Sequence, residues 1–143
     1  QYLLFTDAST DRVGIITNTP SYKLDVTGGI RATANITAYS DIRVKENIRP
    51  IENALLKVNQ LEGVTYDRID EDELEDINGR QIGLIAQQVE PIVPEVIEID
   101  KEGMYNLSYG NLAGLFVEAI KEQQVQIEEL KREIEEIKNG SSK

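Results

Sequence analysis

The chain has 143 residues, 40% apolar and 29% charged, with no histidine and no cysteine. These are the proportions of one ordinary folded domain plus an extension; disulfides are excluded, and the compartment is left open. A net charge of −11 argues against nucleic acid or an anionic membrane surface as partner, both of which need clustered Lys and Arg, and no apolar run is long enough to cross a bilayer. Gln1 is not a start residue, so a piece of a longer protein is expected. Residues 1–39 read as short strands. Tyr2–Thr6 and Arg12–Ile16 flank a polar turn, Tyr22–Val26 alternates with period two, and Gly28-Gly29 marks a sharp turn. That glycine pair lacks the Gly-Lys-Ser/Thr of a phosphate cradle. Ile30, Ala32, Ala34, Ile36 and Ala38 share one face of a further expected strand. The segment buries too little to fold alone.

Residues 40–48, Ser-Asp-Ile-Arg-Val-Lys-Glu-Asn-Ile, stand where the chain changes character. Ser40 and Lys45 put a hydroxyl and an amine five residues apart. Without histidine or cysteine, Ser-His-Asp and Cys-His chemistry is unavailable, and Ser-Lys is the one familiar acyl-transfer dyad left. The spacing alone is far more often that of a solvated turn, and both readings stay open here.

Downstream, Pro50 suits the first turn of a helix on which Ile51, Leu55 and Val58 recur at helical spacing as far as Asn59. Gly63 ends it, and Val64–Ile69 reads as a strand. Residues 70–76 hold six acids in seven positions. Leu74 and Glu75 stand where an EF-hand wants a ligand and a glycine, so a solvated loop is expected rather than a calcium or other metal site. Asn78-Gly79 is a two-residue hairpin signal leading into the strand Gln81–Ile85. A short helix is expected over Ala86–Ile92, before Pro94. Glu95–Asp100 and Met104–Leu107 are expected to pair across Lys101-Glu102-Gly103.

The last stretch is heptad. Ala113, Phe116, Ile120, Gln123, Ile127, Leu130, Ile134 and Ile137 alternate at spacings of three and four, which is an a/d seam. Isoleucine at a positions 120, 127 and 134, with Leu130 and Ile137 at d, tilts the preference from dimers towards trimers and tetramers; Gln123 is a lone polar layer. In a parallel arrangement Glu133 at g faces Lys138 at e. Packing antiparallel on its own domain would leave a long apolar stripe in water. A parallel homotrimer is expected, with 139–143 a frayed tail.

The run Ser40-Asp41-x-Arg43-x-Lys45-x-Asn47-Ile48 resembles the opening motif of the S74 peptidase family, the self-cleaving C-terminal intramolecular chaperones of phage tailspikes and tail fibres (endosialidase-type). Gly83–Glu90 followed by Pro94-Glu95-Val96 resembles the family's second block. Tyr105, Leu107 and Leu112 leading into Glu118-Ala119-Ile120-Lys121-Glu122 resemble its helical end. The likeness covers roughly residues 37–132. It implies a scissile bond at Tyr39-Ser40, Ser40 as nucleophile and Lys45 as its base, and it specifies no residue beyond that pair. As supporting groups, Arg43 is the nearest candidate cation or else a carboxylate anchor, Asp41 or Asn47 would orient the loop, and Gln87 is either a donor near the oxyanion or a structural amide. It also implies that Pro20–Val26 belongs to the end of an intertwined stalk. A dyad assembled only in the trimer is expected, with Lys45 acting within its own chain or across the trimer.

The expected architecture is therefore α+β. Residues 1–39 end a trimeric β-rich stalk, 40–107 form a small mixed α/β chaperone domain, and 108–138 form a parallel trimeric coiled coil. By the resemblance, the module registers three copies of a fibre, is assembled in the host cytoplasm as a virion tail precursor, and cuts itself off its own stalk. A non-cleaving trimeric cap or host-binding tip is the alternative. No cofactor is evident, with a nucleotide or ion trigger left open.

Overall fold

A computed structural model describes residues 3–70 and 79–140. The acidic stretch from residue 71 onward, Asn78, and residues 141–143 lie outside the described residues, and with them most of the calcium-loop reading and half of the Asn-Gly turn. The chain is mixed α+β with small sheets and one long C-terminal helix, and it divides into two units: Gln1–Lys45 with Thr65–Gly83, and Glu46–Val64 with Leu84–Lys143.

In the first unit β1 (Leu4–Asp7) and β2 (Arg12–Ile15) form an antiparallel pair, Leu4 opposite Ile15 and Asp7 opposite Arg12. Asp7 holds their turn closed. Its carboxylate accepts from the Ser9 amide and hydroxyl at 2.9 and 2.6 Å and from the Thr10 hydroxyl at 2.7 Å. These donors pull its pKa down to about 2. β3 (Leu24–Val26) pairs parallel with β2, Val13 opposite Leu24. The eight-residue connection between them holds no helix; Arg12 Nη1 donates to the Pro20 carbonyl and the Ser21 amide to Asp25, at 2.9 and 2.8 Å. Gly14 is obligatory there, since a Cβ would stand 2.3 Å from the Thr17 carbonyl oxygen.

Ile30–Ala38 is not a strand. Alternation marks a face, but a strand also needs a partner for its amides, and in one chain this segment has none among the described residues. β4 (Val64–Tyr66) and β5 (Gln81–Gly83) pair as a two-stranded sheet. Both are shorter than the runs Val64–Ile69 and Gln81–Ile85 predicted.

The second unit is built on α1 (Ala54–Gln60), α2 (Ala86–Val89) and α3 (Leu112–Gly140). Pro50 does not open α1; Asn53, in the left-handed conformation at φ 55°, turns the chain into it. α2 is a single turn, and Pro94 starts a 3-10 turn over Pro94–Val96. The hairpin β6 (Ile97–Ile99) and β7 (Tyr105–Leu107) pairs Ile97 with Leu107, as expected. Its turn is closed by the Asp100 carboxylate, which accepts from the Glu102 and Met104 amides, and by Gly103 at φ 82°. The core is Ala54, Val89, Val93, Val96, Leu112, Leu115 and Ala119. It is small, and α3 contributes three of its seven members. From residue 123 to 140 every residue of α3 is exposed, so about 27 Å of helix runs on past the core. Asn139 and Gly140 are helical, not frayed.

Candidate functional site

Asp41 shapes the segment that carries the expected chemistry. Its backbone is extended, and Oδ1 accepts from the Arg43 amide at 2.8 Å, capping a 3-10 turn over Ile42–Val44. The same carboxylate takes both ends of the Arg43 guanidinium, Nε at 2.9 Å and Nη2 at 2.7 Å. This forked, charge-assisted pair holds the Asp41 carboxyl below the usual carboxylate range and raises the pKa of Arg43. The Lys45 amide donates to the Ile42 carbonyl at 3.1 Å and the chain leaves extended. One tight turn therefore folds the lysine back over the serine: Lys45 Nζ donates to Ser40 Oγ at 2.7 Å.

The arrangement places an amine within proton-transfer reach of a hydroxyl whose own residue contributes the amide of the Tyr39-Ser40 bond. The contact is made within one chain, with no second copy needed for it. What the chain does not supply is shelter. Tyr39 is 78% exposed, and Ser40 and Lys45 are exposed too. Arg43 does not act as a free cation beside the lysine, because Asp41 occupies it. Asn47 stands in the left-handed region at φ 54°, on an exposed bend. Gln87 is an exposed residue of α2, in the second unit.

The seam positions Phe116, Ile120, Gln123, Ile127, Leu130, Ile134 and Ile137 are all exposed, as one continuous stripe on α3. Two residues have structural roles that the sequence does not announce. Glu122 reaches from α3 to the start of α1, where Oε1 and Oε2 accept from the Ala54 and Leu55 amides at 2.9 and 2.8 Å. Asn53 offers that helix no side-chain cap, so Glu122 replaces one from 68 residues away. Tyr109 Oη accepts from the Leu84 amide at 2.9 Å, tying the entry of α3 to the start of α2. Neither partner is close in sequence, so no local pattern announces the pair. Among the described residues no cluster of acids could hold a metal ion, and no helix is long and apolar enough to cross a membrane.

The chain is similar to several known proteins. The long tail fiber protein Gp37 of Enterobacteria phage K3 is 37% identical over 108 residues, 70% of this chain and 8% of that protein. Gp37 of Enterobacteria phage M1 is 35% identical over 96 residues, 64% of this chain and 38% of that one. An uncharacterized membrane protein of Dictyostelium discoideum is 31% identical over 106 residues, 66% of this chain and 6% of its own. The chain thus spans well under half the length of each of these relatives. A family model described as chaperone of endosialidase matches residues 40–98, beginning at the serine that Lys45 contacts. Through that segment the chain is similar to the Peptidase_S74 family.

Proposed function

We propose that this chain is the trimerising chaperone module of a phage tail fibre, and that it removes itself by a single cut at Tyr39-Ser40. The observation that carries the reading is the 2.7 Å contact of Lys45 Nζ with Ser40 Oγ, in the segment where the family match starts. In the proposed step Lys45, once neutral, takes the Ser40 hydroxyl proton as Oγ attacks the Tyr39 carbonyl carbon. The C–N bond breaks as the new C–O bond forms, and the proton passes to the departing Ser40 amine. The chain is then joined through an ester. Water hydrolyses it, leaving a carboxylate on Tyr39 and restoring the Ser40 hydroxyl beside a free amine.

A charged lysine cannot act as the base, and removal from water is the ordinary way to neutralise one. Association of three copies would supply that shelter, so that cutting follows assembly. The stalk, once released, keeps its fold without the helper that built it. Three chains brought into register by a rapidly folding C-terminal module also start stalk pairing at high effective concentration. The Gp37 relatives support the tail-fibre setting.

The test is the mass of purified protein and of its Ser40→Ala, Lys45→Ala and Lys45→Arg variants. The reading expects fragments 1–39 and 40–143 from the parent chain and an intact chain from all three variants. Fragments in the Lys45 variants at the parental rate would sink it. An intact parent chain of trimeric mass would point to a non-cleaving cap instead.

A further inference from the structure

The flanks of the α3 stripe change character halfway along. At heptad g and e, the positions beside the seam, the first half has Leu112, Val117 and Ala119. The second half has Gln124, Gln126, Lys131, Glu133 and Lys138 at the same positions. Polar g and e residues are usual where two bare helices meet, as with Glu133 and Lys138 in a parallel pair. The apolar half coincides with α1. Leu112 and Ala119 are buried, and Glu122 clamps the start of α1, so α1 lies along the g flank of α3. Beside it runs a groove with Leu55, Val58 and Asn59 on one wall, Phe116, Ile120 and Gln123 on the other, and Ala119 at its floor. Val117, on the opposite flank, is 52% exposed.

We propose that this groove seats the α3 helix of a neighbouring copy, so that α1 forms part of the trimer interface. The inference rests on the trimer reading above. In a parallel trimer the g flank of each helix faces the e flank of the next. The occupant is then the neighbour's edge, with its Val117 against Leu55 and Val58 and its Gln124 near the amide of Asn59. The charge match of Glu133 with a neighbour's Lys138 lower down identifies the occupant as a second copy, parallel and in register. Ala119, the smallest side chain available to a helix surface, leaves the room that a long g residue would fill.

The experiment uses the full chain and reads, by sedimentation equilibrium, the concentration at which half the protein is trimeric. Asn59 is exposed, so Asn59→Glu leaves the fold of one copy intact, as helical circular dichroism will verify. It is expected to raise that concentration at least tenfold. Gln124→Lys in the same chain is expected to restore it to within threefold, and the rescue must come from another copy, since a chain's own residue 124 is on the flank away from α1. Equal assembly of parent and Asn59→Glu, with Ile127→Asp dissociating both, would overturn the proposal while leaving the trimer standing. Asn59→Glu weakened without rescue would also overturn it. A parent chain that sediments as one copy would remove the trimer reading itself.

Discussion

Truncating Glu122 tests whether the tie between α1 and α3 holds the second unit together. Its two carboxylate oxygens accept from consecutive amides at 2.9 and 2.8 Å. Hydrogen bonds to a charged group contribute about 1.5–3 kcal/mol each, and sharing one side chain makes them less than additive. In Glu122→Ala the Ala54 amide, on a residue with 0% exposure, is left buried without a partner, a cost of ~1–3 kcal/mol. Leu55, half-buried, recovers some hydration. The negative charge at a helix start, about 0.5 kcal/mol, goes too. Glu122→Ala is therefore expected to lose about 3 kcal/mol, and Glu122→Gln, which keeps one acceptor, roughly half of that. Urea unfolding followed by circular dichroism, at one fixed protein concentration, reads the difference; the fixed concentration matters because association adds to stability. Glu129→Ala, on the exposed run of the same helix, is the control and should stay within about 0.5 kcal/mol of the parent. A loss at Glu122 no larger than at Glu129 would refute the clamp.

The remaining expectations concern the turn, the stripe and the hairpin. Asp41→Ala should slow cleavage and loosen the 3-10 turn while Ser40 and Lys45 stay in place; equal rates would show that the turn needs no carboxylate. Because Arg43 lowers the Asp41 pKa, the pair is complete above the ordinary carboxylate value and is lost only as pH falls through the lowered one. A cleavage profile between about pH 5 and 9 should accordingly show no step from Asp41, and any acid-side step there that Asp41→Asn abolishes would contradict this. Ile127→Asp, past the core, should reduce the sedimenting mass to one copy without altering the hairpin resonances of β6 and β7. Gly103 sits at φ 82°, and a Cβ added there would meet nothing within 4 Å. Gly103→Ala should therefore cost conformational strain alone, about 1 kcal/mol by urea unfolding.

What could be read in advance was local or periodic. The Ser40–Lys45 contact spans five residues, and a motif of nine carried it. The α3 stripe repeats often enough that its period needs no tertiary context, and Lys101-Glu102-Gly103 announced its hairpin. The misreadings share a cause. Ile30–Ala38 shows strand alternation, yet alternation specifies a face and not the neighbour that must accept its hydrogen bonds. Pro50 looked like a helix start, but Asn53 in the left-handed region breaks the chain three residues later. Glu122 appeared as one of several acids on a helix surface; its partners lie 67 and 68 residues away, on a helix whose own cap position is idle. Arg43 could equally have attended the lysine or a carboxylate, and the adjacent Asp41 was the better match for a forked guanidinium.

Ser40 and Lys45, the proposed nucleophile and base, both lie on the downstream side of the Tyr39-Ser40 link, within a single six-residue run. Under the proposed chemistry the upstream partner then contributes one carbonyl and no side chain. Such a cutter is indifferent to its cargo, and could be fused behind unrelated fibres without redesign. The tool also travels with the discarded piece, so the finished shaft carries no reactive group away with it.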